Sequence, residues 1–576
     1  QMPTAETDDG YLVKYEPELP THDNYVFTED TVYKIRFVKE GYVLGDEQVD
    51  GKNIVNRVYD DNSKKTDPIG QVKILKDGED VSGSFNTYKY YDKKDGQEIT
   101  TFDLSNGGKT FEAYLVASKD DGTTVEGQVY FKYGSATIGK DSTDFLTMED
   151  ALAKAKEGEQ IVVKYNTSFA EKAIGESLYE TSNHTIKKGV TVLLPFDETY
   201  SDNIEDKSAP QDGRGKLIDR EKGPFVKLTL PQGQNLDIAG TLTLNAKTRG
   251  NHESGAGKIY MHYYSQLEMG PDTKINVKSA GRLNSIGFVI GDGEVVMESG
   301  SEVLDLLMLH DYRGGTETTG LYRRIFPTDQ FSMNNIEVPI TINAGSKYMA
   351  RTHIIATLIN VIPTVGIIGE DTLLNLKSGY IRKTYNIDNG KMDFDVYGDL
   401  ELKDLSLHIT SSRIASSKGK EIPFCGLYNI NIKSGSTLTT IANAKLLPDM
   451  KLTIDKGATM NISKGSHVFV YGPNMYTGAT SGWGKYMRKE APATYRVIPT
   501  FGINVNNPGQ LIVNGTLNVN GGLGGPVKRA TDGEINFYEG SVKKLTISHL
   551  IMGTVGKWGR VLAPLPEKTA EYEEIN

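Results

Sequence analysis

Charged and aromatic side chains gather at two places in this chain where contact with a polymer would need them. The first is His310-Asp311-Tyr312-Arg313-Gly314-Gly315, followed by Arg323, Arg324 and Asp329. This run supplies an anion, fixed cations and a glycine-shaped loop, a set suited to holding a charged or hydroxyl-rich ligand. An ion pair between Asp311 and Arg313 that holds a bulge accounts for the same residues without chemistry. The second place gathers Tyr471, Tyr476, Trp483, Tyr486 and Tyr495 around Arg488 and Lys489. Flat aromatic rings with a polar edge are surfaces on which sugars stack. Tyr260, Tyr263 and Tyr264 form a smaller group, and aromatic packing within β structure explains either group as well. The candidate glycan-contacting residues are therefore Tyr476, Trp483, Tyr486, Asp311, Arg313 and Arg323.

Other chemistries find little support. The nine histidines are dispersed, and His252, His262 and His310 have no zinc-ligand spacing. Nucleophile-elbow, P-loop and dinucleotide fingerprints are missing. Asp60-Asp61-Asn62 and Asp292-Gly293 offer oxygens to Ca²⁺ but lack the full calcium-loop pattern, so turn duty is their default. Ca²⁺ stands as a candidate ligand and no other cofactor is expected. A single cysteine, Cys425, excludes an internal disulfide framework, and its apolar surroundings suit a buried small side chain. The net charge of −11 is spread along the chain, which disfavours nucleic acid as a partner. No apolar run approaches the roughly 20 residues of a membrane-spanning helix. Asn166, Asn183, Asn461 and Asn514 each open an Asn-X-Ser/Thr tripeptide.

The elements that must position such groups are legible in residues 428–471. Leu452 and Ile454 recur as Met460 and Ile462, then as Val468 and Val470, each step being eight residues. Asp455-Lys456-Gly457 and Ser463-Lys464-Gly465 separate the pairs, and Gly435 lies 22 residues before Gly457. Period-two alternation every eight residues, closing after 22, is what a coiled β-solenoid requires. Two repeat types extend the pattern. In one, glycine sits between apolar pairs: Leu236/Ile238/Gly240/Leu242/Leu244, Phe394/Val396/Gly398/Leu400/Leu402 and Leu511/Val513/Gly515/Leu517/Val519. In these, glycine is expected where a side chain would obstruct a bend. In the other, glycine follows the pair: Val295/Met297/Gly300, Ile340/Ile342/Gly345, Leu374/Leu376/Gly379, Ile430/Ile432/Gly435 and Ile535/Phe537/Gly540. An antiparallel meander with eight-residue spacing is the rival topology.

Taken in order, residues 1–23 are polar and proline-bearing and read as an arm. Residues 24–138 alternate in short strands, with 111–117 and 125–133 flanking Asp121-Gly122 as a hairpin. They are expected to form an immunoglobulin-like β-sandwich. Residues 139–160 hold the clearest helix: Thr147 is a cap, Asp150 its answering residue, and Met148, Ala151, Leu152 and Ala155 an apolar stripe ending at Gly158. This alanine-rich helix, then glycine and the strand Ile161-Val162-Val163, resembles the entry to right-handed β-helix proteins of the pectate-lyase-like superfamily. The resemblance implies a right-handed parallel β-helix over residues 161–562 whose open end the helix caps. The pattern lapses near 305–335 and 472–500, where loop excursions would leave the stack. Residues 563–576 read as an acidic tail or linker.

Enzymes of that superfamily use acidic clusters for Ca²⁺ with a basic residue, or paired carboxylates. No run of Asp residues on successive repeats matches them here. The texture also resembles large repetitive surface proteins of Gram-positive anaerobes. That resemblance implies an exported, non-catalytic adhesin, stalk or envelope-layer protein, extracellular, secreted or at the cell surface. Self-association or envelope, host or plant glycans are its expected partners, with no nucleic acid and no transmembrane segment. A removed leader suits a chain beginning at Gln1. The alternatives are a polysaccharide lyase or glycoside hydrolase on the same scaffold, with a groove lined by Asp311, Arg313, Arg323 and Arg324, and a non-catalytic glycan binder.

Overall fold

The computed structural model describes residues 11–16, 34–39, 41–171, 183–196, 224–246, 249–250, 259–260, 264–309, 332–353, 364–365, 374–376, 379–386, 391–402, 409–410, 428–441, 444–446, 451–470, 509–546 and 569–575. Within them the protein is nearly all β, with one α-helix. The chain divides into two compact units. One comprises residues 1–154 with 163–182, the other 155–162 with 183–576.

In the first unit the expected hairpin is the spine. Thr110–Ser118 and Thr124–Gly134 pair antiparallel, with Ser118 opposite Thr124. Thr87–Tyr91 extends one side antiparallel and Lys52–Val58 the other side parallel. Alternate residues of the hairpin, Ala113, Leu115, Val129 and Phe131, are buried with Val55, Ile74, Phe85 and Phe102. The strand Ile74–Lys76 turns to Glu79–Asp80 through Asp77 and Gly78, both at positive φ (48° and 79°), the backbone of a two-residue hairpin turn. Inside the stretch expected to be an irregular arm, Tyr11–Glu16 is a strand antiparallel to Lys34–Lys39.

The helix is short, Met148–Lys154. The Asp150 N–H donates to Thr147 Oγ1 at 3.3 Å, while the Asp150 carboxylate is taken up by Lys132 at 2.9 Å. Met148, Ala151, Leu152 and Ala155 are all buried. Gly158 adopts φ 86°, the left-handed stop expected of it. The helix itself belongs to the first unit.

The second unit is built from ladders of short strands. One runs Gln160–Val163, Thr191–Leu194, Thr241–Leu244, Arg282–Ser285, Glu302–Leu309 and Lys347–His353, each parallel to the last. Another begins Asn183–Ile186, Asn235–Ile238, Lys274–Val277, Glu294–Met297 and Ile340–Asn343, also parallel. Val226–Leu230, Ser265–Met269 and Phe288–Gly291 form a third. The 22-residue period is real: Ile430 lies beside Leu452 and Ile432 beside Ile454. The Gly435 N–H donates to the Gly457 carbonyl at 2.9 Å. The eight-residue steps give Lys451–Ile454, Thr459–Ile462 and His467–Val470 three different parallel neighbours, Gln510–Val513, Thr516–Val519 and Gly522–Arg529, the last of which also pairs with Gln510–Val513.

The two glycine repeats do different work. At Gly515, a Cβ would stand 2.3 Å from the Ala458 carbonyl oxygen and 2.4 Å from that of Asp455. The backbone there approaches so closely that Asn514 and Gly515 both donate to Ile454 O. The glycine that follows an apolar pair instead turns the corner. Gly300, Gly345, Gly435, Gly457, Gly465 and Gly540 all have φ between 77° and 84°. Two copies depart. Gly398 is left-handed at φ 74°, and at Gly379 a Cβ would stand 2.1 Å from Tyr397 O.

That departure marks a reversal of direction. Tyr380–Asn386 pairs antiparallel with both Ile340–Asn343 and Lys391–Tyr397. Leu374–Leu376 likewise runs antiparallel to Asp399–Leu402. The expectation of uniformly parallel neighbours over 161–562 is corrected here. A strand inserted between two of like direction preserves the parallel sense beyond it only if the chain reverses twice. From Lys391–Tyr397 the ladder resumes parallel through Tyr428–Ile432, Lys451–Ile454, Gln510–Val513 and Gly522–Arg529. The acidic tail is corrected too, because Thr569–Ile575 is a strand. It pairs with Gly522–Arg529 and with Lys544–Thr546. Its charges are met by Lys544 on Glu571 and by Arg529 on Glu574, and Tyr572 packs on Phe537.

Candidate functional site

Strand alternation sends two ionisable side chains into the interior of the second unit. In Glu302–Leu309, Val303 points inward and so does Asp305 two residues on. In Tyr380–Asn386, Ile381 and Lys383 share the inward face, and Lys383 lies opposite Ile340. Tyr348 comes from Lys347–His353, in register with Val303 on the neighbouring strand. One ladder thus carries the acid and the phenol, while the reversed strand of another carries the base.

Lys383 Nζ lies 2.6 Å from Asp305 Oδ2, and both side chains are 0% exposed. Tyr348 OH donates to the same oxygen at 2.7 Å. The second oxygen, Asp305 Oδ1, accepts from the Ile336 N–H at 3.0 Å, and Lys383 Nζ also donates to Ile336 O at 2.6 Å. Neighbouring Asn335 donates to Ile286 O at 2.5 Å, while its buried Oδ1 has no hydrogen-bond partner among the described residues. Burial pulls the Lys383 ammonium below the usual lysine range, against the pull of Asp305. Burial and the Asp305 charge push Tyr348 well above the usual phenol range. An amine, a carboxyl and a phenol are therefore in contact, each with its remaining polar atoms satisfied and none open to water.

The first unit holds a related set. Asp67 Oδ2 receives Tyr133 OH at 2.6 Å and Arg57 Nη1 at 3.0 Å, and Lys64 reaches Oδ1 at 2.6 Å. Arg57 also donates to Pro68 O and Ile69 O, and its guanidinium lies over the Phe131 and Tyr133 rings. Burial works against the Asp67 carboxylate. Hydrogen bonds from Lys64 and Tyr133, with the charges of Lys64 and Arg57, outweigh it and hold Asp67 below the usual range. Glu149, on the helix, has no ion-pair partner among the described residues: Oε1 accepts from the Ala170 N–H at 2.6 Å and Oε2 has no partner among them. Burial raises its pKa to about 7.

The residues expected to contact glycans, Tyr476, Trp483, Tyr486, Asp311, Arg313 and Arg323, lie outside the described residues, as do His310, Arg324, Asp329 and Cys425. Tyr264 is buried and packs edge-on against Phe288. Asp61 serves a turn, accepting from the N–H and Oγ of Ser63. Among the described residues no three His, Cys, Asp or Glu side chains gather as metal ligands, and no helix is long and apolar enough to cross a membrane. Of the expected excursion at 305–335, residues 305–309 and 332–334 are strand, and 310–331 lie outside the described residues. Sequence reasoning passed over Asp305, Lys383 and Glu149. For Asp305 and Lys383 the signal was parity: a charged strand residue two places from a core valine or isoleucine faces the core.

No family model, no curated protein and no solved structure matches this chain.

Proposed function

We propose that this is an exported structural protein, a stalk, adhesin or envelope-layer component that displays loops on a stiff β scaffold. The observation that carries the reading is the doubled bonding between rungs. Main-chain hydrogen bonds link each strand to the next, and side-chain amides repeat the link outside. Asn235 donates to Asn183 at 2.8 Å and Asn276 to Asp237 at 2.7 Å. Asn429 donates to Asp393 at 2.6 Å and Asn431 to Asp395 at 2.8 Å. Asn518 donates to Asn461 at 3.0 Å and Asn536 to Asn518 at 3.1 Å. Stacked amides with apolar cores beneath resist bending and slippage, which is what a spacer requires. In the finer reading, the second unit is a right-handed parallel β-helix with antiparallel interruptions, Tyr380–Asn386 among them, and the first an immunoglobulin-like sandwich followed by a capping helix.

Electron microscopy of the purified chain tests this directly. Rods, filaments or layers are expected, and a compact isometric particle without assembly would overturn the reading. A polysaccharide panel provides the second arm, with no new reducing ends or unsaturated products expected. Turnover on any member that disappears in Arg313→Ala would replace the scaffold reading with the lyase or hydrolase one.

A further inference from the structure

We propose that Lys383 and Asp305 become joined by an intramolecular amide bond, a covalent cross-link that the chain forms in its own core. The two groups already meet at 2.6 Å without any exposure, so the reaction needs no encounter and faces no competing water. The surroundings are arranged around the two carboxyl oxygens differently. Oδ1 faces the Ile336 N–H at 3.0 Å, a donor placed where negative charge develops when a nucleophile adds to Cγ. Oδ2 faces Tyr348 OH at 2.7 Å, a proton donor on the oxygen that departs. Ile336 O holds the nitrogen at 2.6 Å.

The nucleophile must be the neutral amine, and burial favours that form of Lys383. Passing from ammonium and carboxylate to amine and carboxylic acid moves one proton within the pair, so no outside base is needed. The Nζ lone pair then adds to Cγ, and the N–C bond forms. A proton leaves Nζ for the departing oxygen, relayed through Tyr348, and the Cγ–Oδ2 bond breaks. Amine plus acid gives amide plus one water, with no oxidant or reductant. Other lysine–carboxylate contacts serve as internal controls. Lys278–Glu298 at 2.8 Å and Lys274–Glu294 at 3.0 Å are part-exposed, where water keeps both charges and resists condensation. The bond would tie one ladder to another through the reversed strand, which carries Lys383.

Intact mass spectrometry of the denatured full chain decides the matter. The expected result is a mass lower than that of the sequence by one water. A digest should then contain a branched peptide joining the Asp305 and Lys383 segments, with tryptic cleavage after Lys383 lost. Lys383→Met should show its full sequence mass. A wild-type mass equal to the sequence mass overturns the proposal, and this reading needs no folded variant. So does water loss without the branched peptide, or water loss that persists in Lys383→Met.

Discussion

Among the described residues a tyrosine and an aspartate meet a base around Asp67 in the first unit and around Asp305 in the second, and the two sets differ in two respects. Around Asp67 two bases serve, Arg57 on Oδ2 and Lys64 on Oδ1, and the Arg57, Lys64 and Asp67 side chains keep 21%, 37% and 16% of their exposure. Around Asp305 the base is lysine and nothing is exposed. Arginine stays charged in any protein environment and its planar fork serves several acceptors at once, here Asp67, Pro68 and Ile69. Partial exposure lets water repay some of what ion pairing does not. Lysine is a compact charge that gives up its proton when dried. The comparison teaches that a tyrosine and an aspartate make a hydrogen-bonded clamp with an arginine and a lysine near water, and a chemically poised pair with one lysine away from it.

Removing one base at each site tests that distinction most strongly. Lys383→Met should destabilise the second unit by about 3–5 kcal/mol, because it strands a buried carboxylate. The matching change Arg57→Met should cost the first unit about 2 kcal/mol through lost charged hydrogen bonds. Urea midpoints followed separately for the two units check this, and equal losses would break the comparison. Adding Asp305→Leu to Lys383→Met should restore the share of the loss due to the stranded carboxylate and not the share due to the missing cross-link.

Glu149 sharpens the contrast by having no ion-pair partner among the described residues, with only the positive charge of Lys132 acting on it from a distance. Its folded pKa of about 7 stands above the ordinary 4.5, so its contribution is complete below the ordinary value. That contribution falls as pH rises through 7, by on the order of 3 kcal/mol. Denaturation of the first unit from pH 5 to 8 should show the decline, and Glu149→Gln should flatten it. Asp67 has the opposite sign. Its lowered pKa gives stability present above the ordinary carboxylate value of about 3.9 and lost as pH falls below it. Asp67→Asn should remove that acid limb from the pH profile and leave the Glu149 decline in place. The smallest effect belongs to the outer face. Lys433 bridges Asp395 and Asp455 at 3.3 and 3.7 Å while part-exposed, so Lys433→Ala should change stability by about 0.5 kcal/mol.

The repeating architecture was legible because it is periodic. Leu452, Met460 and Val468 announce strands eight residues apart, and Gly435, Gly457 and Gly465 announce the corners. The hairpin around Asp121-Gly122 and the Thr147-capped helix were legible for the same reason: local chemistry specifies them. The reversal at Tyr380–Asn386 was not, because direction leaves no trace in an alternating pattern. Ile381 and Lys383 read alike whichever way the strand runs. The strand at Thr569–Ile575 was hidden by its glutamates, whose partners Arg529 and Lys544 stand far away in sequence. Asp305 and Lys383 were hidden similarly, being 78 residues apart. Only contact turns two apparent errors of alternation into a matched pair.

The reversed strand also bears on how the second unit acquires its structure. A parallel strand copies the alignment of the one before it, so a growing stack can be templated in sequence order. Tyr380–Asn386 interrupts that copying. If the stretches before and after it each set their own alignment, as two cooperative blocks, a slip in one would stop at the boundary instead of travelling through the whole array.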